Sequence, residues 1–175
     1  HKHDTKIAVQ LNHAGASAVA ERINMQPVSA SDLPNKKGGA IPRPLTKDEI
    51  YSIVESYAKA AKRAQIAGFD AVEIHCGHSY LISQFLSPLT NNRTDEFGGS
   101  CENRARFASL ILKAVREAVG PFFPILIRIS ADEFLPGGNT LEDTLHLLEY
   151  FQEEADIIDV SCGLVDSIQY QIDAN

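Results

Sequence analysis

The chain has 175 residues, 44% of them hydrophobic, which is enough for one ordinary domain with a real core. Its formal net charge of -7 argues against nucleic acid as the main partner, because nucleic-acid binding favours a basic face. Cys76, Cys101 and Cys162 are odd in number and lack CxxC spacing, which argues against a disulfide framework or a zinc knuckle and for a reducing, cytoplasmic setting. No apolar stretch approaches membrane-spanning length and no signal-peptide pattern is present, so no membrane partner is expected. The first residue is His1 rather than Met, which leaves the natural N-terminus open.

In chain order, IAVQL (7–11) is the first strand candidate, followed by a long polar connection to about residue 45. TKDE (46–49) has the form of a capping box, in which the Thr46 hydroxyl accepts from the Glu49 N–H while the Glu49 side chain reaches back. Ile50, Ile53, Val54, Tyr57, Ala60, Ala61 and Ala64 then recur at helical spacing, and Gly68 stands where a helix-terminating glycine belongs. The next strand covers 71–75, and a second polar connection runs to Ser100. Phe107, Leu110, Ile111, Ala114, Val115 and Ala118 predict another helix, closed by Gly120 and Pro121. PILIRIS (124–130) is the clearest strand. A helix capped by Asn139 or Thr140 follows, with Leu141, Leu145, Leu148 and Phe151 as its apolar stripe. DIIDVS (156–161) is the fourth strand.

Alternating strands and helices, with near-continuous apolar strands, predict an α/β fold with a parallel sheet covered by helices. It closes either as an open doubly wound sheet or as a barrel. No GxGxxG follows the first strand, which disfavours the dinucleotide fold. Gln10, His75, Arg128 and Ser161 all fall at or near strand ends, the side on which a parallel barrel keeps its chemistry. A whole βα barrel takes about 250 residues. Four strands therefore amount to half of one.

In EIHCGHSY (73–80), His75 ends a strand, His78 follows three residues later and Tyr80 two after that. Two imidazoles offer two N–H donors to a carbonyl or carboxylate oxygen, and a phenol can deliver a proton. The bland alternatives are a satisfied strand-end histidine and a packing tyrosine. A metal site is disfavoured because zinc usually takes a third protein ligand, although Glu73 alternates onto the same side as His75. Arg128 is a charge inside an apolar strand. It is either one half of a salt bridge, with Glu73 as the expected partner, or a donor to an electron-rich cofactor edge. Gln10 can donate and accept at once, as the edge of a pyrimidine-like ring demands. The polar stretch 87–107 reads mostly as a hydrogen-bonded loop that holds the strand-end groups, with a phosphate site at its following helix as the alternative.

GFDAVEIHCGHSYLISQFLSPLTNNRTDEFGGSCENRARF resembles the signature region of the Old Yellow Enzyme family of FMN-dependent ene-reductases and NADH:flavin oxidoreductases, including 2,4-dienoyl-CoA reductase-like and 2-enoate reductase-like members. IAVQLNHAG and ILIRIS are similar to the family's neighbouring strand motifs, and the likeness runs from about residue 6 to 163. It implies a parallel (βα)8 TIM barrel of which residues 1–175 form the third to sixth βα units. It also implies FMN as cofactor, NADH or NADPH as reductant, and a small unsaturated carbonyl or carboxylate compound as substrate. Gln10 would contact the flavin pyrimidine edge and Arg128 the N1–C2=O region. His75 and His78 would bind the substrate oxygen, and Tyr80 would protonate the carbon opposite the hydride.

Three departures stand out. Ser79 replaces the family's usual Gly, and a side chain there is expected to tilt the turn that aims Tyr80. Ala16 and Ser17 stand where an arginine usually follows. The family's first two and last two strands have no counterpart, and neither has the iron–sulfur cysteine cluster of its larger members. The FMN phosphate loops belong to the last two strands. Two further expectations follow: self-association or membership in a longer chain, and, as the rival function, a half-barrel that binds no flavin by itself. A metal-dependent barrel hydrolase using His75 and His78 is the more distant rival.

Overall fold

The computed structural model describes residues 3–35, 39–164 and 167, so the two ends of the expected 1–175 domain lie partly outside the described residues. In chain order the elements are β1 (Ala8–Leu11), a 3-10 turn (Gly15–Ser17), α1 (Ala20–Ile23), β2 (Val28–Ser29), β3 (Arg43–Pro44), α2 (Lys47–Ile66), β4 (Ala71–Cys76), α3 (Leu81–Leu86), α4 (Cys101–Val119), β5 (Ile125–Ser130), α5 (Leu141–Leu148) and β6 (Ile157–Ser161). β1, β4, β5 and β6 form one sheet in that order, every pairing parallel, and β2 with β3 makes a small parallel pair beside it. The four expected strands are thus the four strands of the main sheet. The two polar connections hold more structure than their composition suggests, namely α1, the β2–β3 pair and α3.

Strand alternation divides the sheet into two faces. On the outer face Val72, Ile74, Ile125 and Ile127 are completely buried beneath the long helices α2 and α4, which pack on each other. α2 presents Ile50, Val54, Tyr57, Ala61 and Ala64 to this core. α4 presents Ala105, Phe107, Ala108, Ile111, Leu112, Val115 and Val119. α3 inserts Phe85, whose ring lies 4.5 Å from Phe107 and edge-on to Phe97 at 6.4 Å. The inner face carries Gln10, Glu73, His75, Arg128, Asp159 and Ser161.

Local signals set the helix boundaries. The Thr46–Glu49 capping box forms, and Arg43 adds a two-point ion pair to Glu49, which holds that carboxyl at about 2. Gly68 adopts φ 90° just past α2. Thr140, rather than Asn139, caps α5, in a capping box with Asp143. The apolar stripe expected of α5 holds in part: Phe151 is buried and Leu148 packs on the core, but Leu141 and Leu145 lie exposed and Thr144 and Leu147 are buried in their stead. Periodicity identifies a stripe but not which neighbour covers it.

At the N-terminal ends of the strands one device occurs twice. Asp70, just before β4, accepts from the Ile7 N–H at 2.9 Å and returns its own N–H to the Ile7 carbonyl. Asp156, just before β6, does the same with Ile125 at 2.8 Å. Each aspartate aligns its strand with the preceding one. The opposite rim is thereby left to loops carrying chemistry.

Candidate active site

His75 lies one residue before the end of β4, paired in register with Arg128 of β5, which in turn pairs with Asp159 of β6. His75 is buried, and the chain leaves β4 through Gly77 into a tight turn. His78 and Ser79 both take left-handed backbone, at φ 57° and 60°. Two consecutive non-glycine residues in that region cost roughly 1–2 kcal/mol each, so the surroundings must hold the turn. They do so at the Ser79 carbonyl, which accepts from the Ser17 hydroxyl at 2.7 Å, the Gln84 amide at 2.6 Å and the Asn35 amide at 3.4 Å.

Gln84 is almost completely buried on α3. Its oxygen accepts from the Ala16 N–H at 3.0 Å and the Ser29 hydroxyl at 2.9 Å, while its nitrogen donates to the Ser79 carbonyl. A Cβ at Gly15, itself at φ 58°, would collide with the Gln84 amide, so only glycine fits there. One glutamine therefore ties the loop after β1, the β2 strand and the turn after β4 together. The tilt expected from a side chain at Ser79 does not separate Tyr80 from the histidines, for the Tyr80 ring centroid is 5.2 Å from that of His75.

The turn places His78 Nδ1 3.3 Å from His75 Nε2, with ring centroids 5.1 Å apart. His78 Nε2 reaches the Ser161 hydroxyl at the end of β6, 2.7 Å away. The Ser130 hydroxyl takes the His78 backbone N–H at 3.3 Å and donates to the Gly163 carbonyl at 2.8 Å. His75, His78 and Tyr80 are thus one cluster, held by the ends of three strands.

Gln10 and Arg128 lie on the same inner face, Arg128 level with His75 and Gln10 two residues further from the rim. The expected Arg128–Glu73 ion pair does not form. Arg128 pairs with Asp159 at 2.7 Å, and Glu73 instead accepts from the Gln10 amide. The reason is register: Asp159 stands directly across from Arg128, whereas Gln10 stands across from Glu73.

These residues fit a flavin ring. Gln10 donates its amide N–H to Glu73, which leaves its carbonyl oxygen as an acceptor for an imide N–H. Arg128 meets Asp159 through one guanidinium nitrogen, and its side chain is 36% exposed, so it keeps donors for an electron-rich carbonyl edge. The arginines of the 87–107 loop are turned to the loop itself and its neighbours. Arg93 binds Asp95 and the carbonyls of Ala30 and Leu45; Arg104 binds the carbonyls of Leu86 and Gly99 and the Asn139 side chain; Arg106 binds the Glu96 carbonyl, Glu102 and Asn103. Their guanidiniums knit the loop rather than converge on an anion.

Polar residues that the sequence reading passed over are the buried Gln84 and Glu133 and the half-buried Asn35 and Asp159. Glu133 is buried after β5, accepts from the Ser87 hydroxyl at 2.8 Å and the Asn139 N–H at 3.0 Å, and has its carboxyl raised above the ordinary range by burial. Burial also pushes the Cys76 thiol, on the outer face, up to about 12, which makes it an inert core residue.

A parallel sheet with helices outside and polar groups on its inner face and C-terminal rim defines a segment of a βα barrel of the flavin-binding kind. The family model described as NADH:flavin oxidoreductase / NADH oxidase family matches residues 1–171, and the chain belongs to that family. It is 46% identical over 163 residues to an NADPH dehydrogenase of Clostridium acetobutylicum, covering 93% of this chain and 48% of that protein. It is 42% identical over 170 residues to an NADH oxidase of Thermoanaerobacter brockii, covering 96% of this chain and 26% of that one. Among solved structures, it superposes on morphinone reductase in complex with tetrahydroNAD with a TM-score of 0.81 at 35% identity, covering 91% of this chain and 50% of that one. On the old yellow enzyme homologue from Zymomonas mobilis the TM-score is 0.82 at 29% identity, covering 91% and 48%. The chain spans about half the length, or less, of the relatives it matches.

Proposed function

We propose that this segment carries the substrate-activating half of an FMN-dependent, NAD(P)H-driven oxidoreductase that reduces an activated C=C bond. The observation that supports it most is the placement of His75 Nε2 and His78 Nδ1 3.3 Å apart, with Tyr80 beside them, on the face shared with Gln10 and Arg128. FMN, when bound, supplies hydride chemistry drawn from NADH or NADPH. Gln10 and Arg128 would hold its pyrimidine edge, where Arg128, oriented by Asp159, would offer a positive charge. The two histidines hold the oxygen of an unsaturated carbonyl or carboxylate compound and draw electron density away from its double bond. Each such preorganised donor contributes about 3 kcal/mol. Tyr80 gives a proton to the α-carbon, on the side opposite the hydride, through its phenol. Cys76 and Cys101 are free thiols, which suits a cytoplasmic enzyme. No helix among the described residues is long and apolar enough to cross a membrane.

The test uses a full-length, flavin-loaded protein that carries this segment and follows its two half-reactions by stopped flow. Tyr80→Phe slows reoxidation by an enone roughly 10²–10⁴-fold and leaves phenol binding and reduction by NAD(P)H nearly intact. His75→Ala and His78→Ala weaken phenol binding as well as slowing the oxidative step. Wild-type enone reduction by Tyr80→Phe would remove the phenol from the mechanism.

A further inference from the structure

A neutral imidazole has one N–H and one lone pair, and the partner at one nitrogen selects the proton's place at the other. In the structure His78 Nδ1 faces His75 Nε2, and His78 Nε2 faces the Ser161 hydroxyl at 2.7 Å. A ligand oxygen held by both rings needs an N–H from each. For neutral His78 this requires the proton on Nδ1 and a lone pair on Nε2. Only a donor can satisfy that lone pair. If the proton sat on Nε2 instead, His78 would turn a lone pair toward the ligand oxygen, and the pair would offer a single donor.

Two hydroxyls lie near His78, and their roles differ. The Ser130 proton is directed to the Gly163 carbonyl at 2.8 Å. Among the described residues, the Ser161 hydroxyl has the His78 ring as its hydrogen-bonding partner. Ser161 is also held in place from behind, since it stands in register with Ser130 and its carbonyl accepts from the Ala131 N–H at 2.8 Å.

We propose that Ser161 is a positioning residue whose hydroxyl donates to His78 Nε2 and fixes His78 in the Nδ1–H form, so that the neutral histidine pair can grasp one ligand oxygen. This rests on the reading of His75 and His78 as the substrate-oxygen site. It assigns to β6 a part in substrate activation that the His75–His78–Tyr80 motif does not contain. Ser161 touches neither substrate nor cofactor; it acts through the proton it places.

The test is a long-range ¹H–¹⁵N correlation of the histidine rings in a full-length, flavin-loaded protein carrying this segment, with a para-substituted phenol titrated alongside. In the wild type, His78 Nδ1 appears protonated and Nε2 unprotonated, free and phenol-bound. In Ser161→Ala the proton moves wholly or partly to Nε2, and phenol affinity falls roughly tenfold, the worth of one hydrogen bond. Ser161→Thr keeps the hydroxyl and restores both the ring pattern and the affinity. A wild-type His78 protonated on Nε2 overturns the proposal, as does Ser161→Ala with unchanged ring pattern and affinity. If the phenol does not bind the wild-type protein at all, the oxygen-site reading falls, while the ring nitrogens still decide what Ser161 does.

Discussion

The two faces of the sheet are built from the same strands by opposite rules. In β4, Val72 and Ile74 disappear beneath α2 and α4, while Glu73 and His75 between them turn inward. In β5, Ile125 and Ile127 are completely buried outward, while Arg128 points inward with about a third of its side chain exposed. The outer face is apolar and closed within the chain. The inner face is apolar at its N-terminal end, where Ala8, Ala71, Leu126 and Ile157 lie, and polar toward the other rim, where its groups are joined in pairs: Gln10 with Glu73, Arg128 with Asp159, His75 with His78. One-residue alternation thus separates what folds the segment from what equips it for chemistry. A substitution should reveal its face by whether stability or function suffers.

The largest effect is expected on the outer face. Ile127→Ala removes a completely buried side chain from the core and should cost about 3 kcal/mol. Its neighbour Arg128→Gln breaks an ion pair of which both members are about a third exposed, and such pairs are worth at most about 1 kcal/mol. Denaturant melts of the two variants compare them directly. If the arginine variant were the less stable, the inner face would be part of the folding core and the separation would fail.

Much of this division is legible in the sequence, because strand periodicity is a local property. AVEIHC and ILIRIS announce both faces, and TKDE announces the start of α2. Pairings across the fold are not local. Arg128 finds Asp159 rather than Glu73 because the register of β5 with β6 decides it, and no single-strand pattern encodes register. The cluster of Ser17, Asn35, Ser79 and Gln84 draws on four separate loops and helices, each with unremarked polar residues. Ser79 itself was visible as a departure. Its remedy, three donors on one carbonyl, was not.

Gln84 sits where the two regions meet, on a helix buried in the core yet bonded to the turn that carries His78 and Tyr80. Gln84→Leu leaves the Ala16 N–H and the Ser29 hydroxyl without their buried acceptor and takes one donor from the Ser79 carbonyl. A loss of about 2 kcal/mol is expected by denaturant unfolding. Gln84→Glu keeps the acceptor for Ala16 and Ser29 but, in its ionised form, cannot donate to Ser79. It should recover part of the stability while leaving Tyr80 less well aimed, with enone reoxidation slowed in a flavin-loaded protein. Equal recovery of both would show that the turn does not depend on that donor.

The aspartate clips predict the acid behaviour of the sheet. The Ile7 N–H holds Asp70 below the ordinary carboxylate value. Burial pushes Asp156 up, but the Ile125 N–H and Arg116 outweigh it and leave Asp156 lowered as well. A carboxyl depressed in the folded state contributes stability above its unfolded value of about 4 and loses it as pH falls through the lower folded value. The contribution of these two aspartates should therefore be flat from neutrality down to about pH 5 and fall below about pH 4. Asp156→Asn should cost about 1 kcal/mol at pH 7, since Asp156 is half-exposed and screened, and should reduce the acid slope. An unchanged slope would place the acid sensitivity elsewhere.

The smallest expected change in stability lies where the comparison breaks down, at β6. Its outer residues Ile158 and Val160 are 43% and 66% exposed, whereas Ile129, on the same face of neighbouring β5, is 2% exposed. Val160→Thr should therefore alter stability by no more than about 0.5 kcal/mol, while Ile129→Thr, which buries a hydroxyl among apolar neighbours, should cost several times that. Exposed apolar groups beside an open sheet edge favour association with another copy. The 175-residue chain expressed alone should sediment with a concentration-dependent mass, and Val160→Thr or Val160→Lys should shift it toward the monomer. If the wild-type chain stays monomeric across the accessible concentration range, the exposed face of β6 is tolerated by water. The rule that outward residues hold the fold together would then stop at β5.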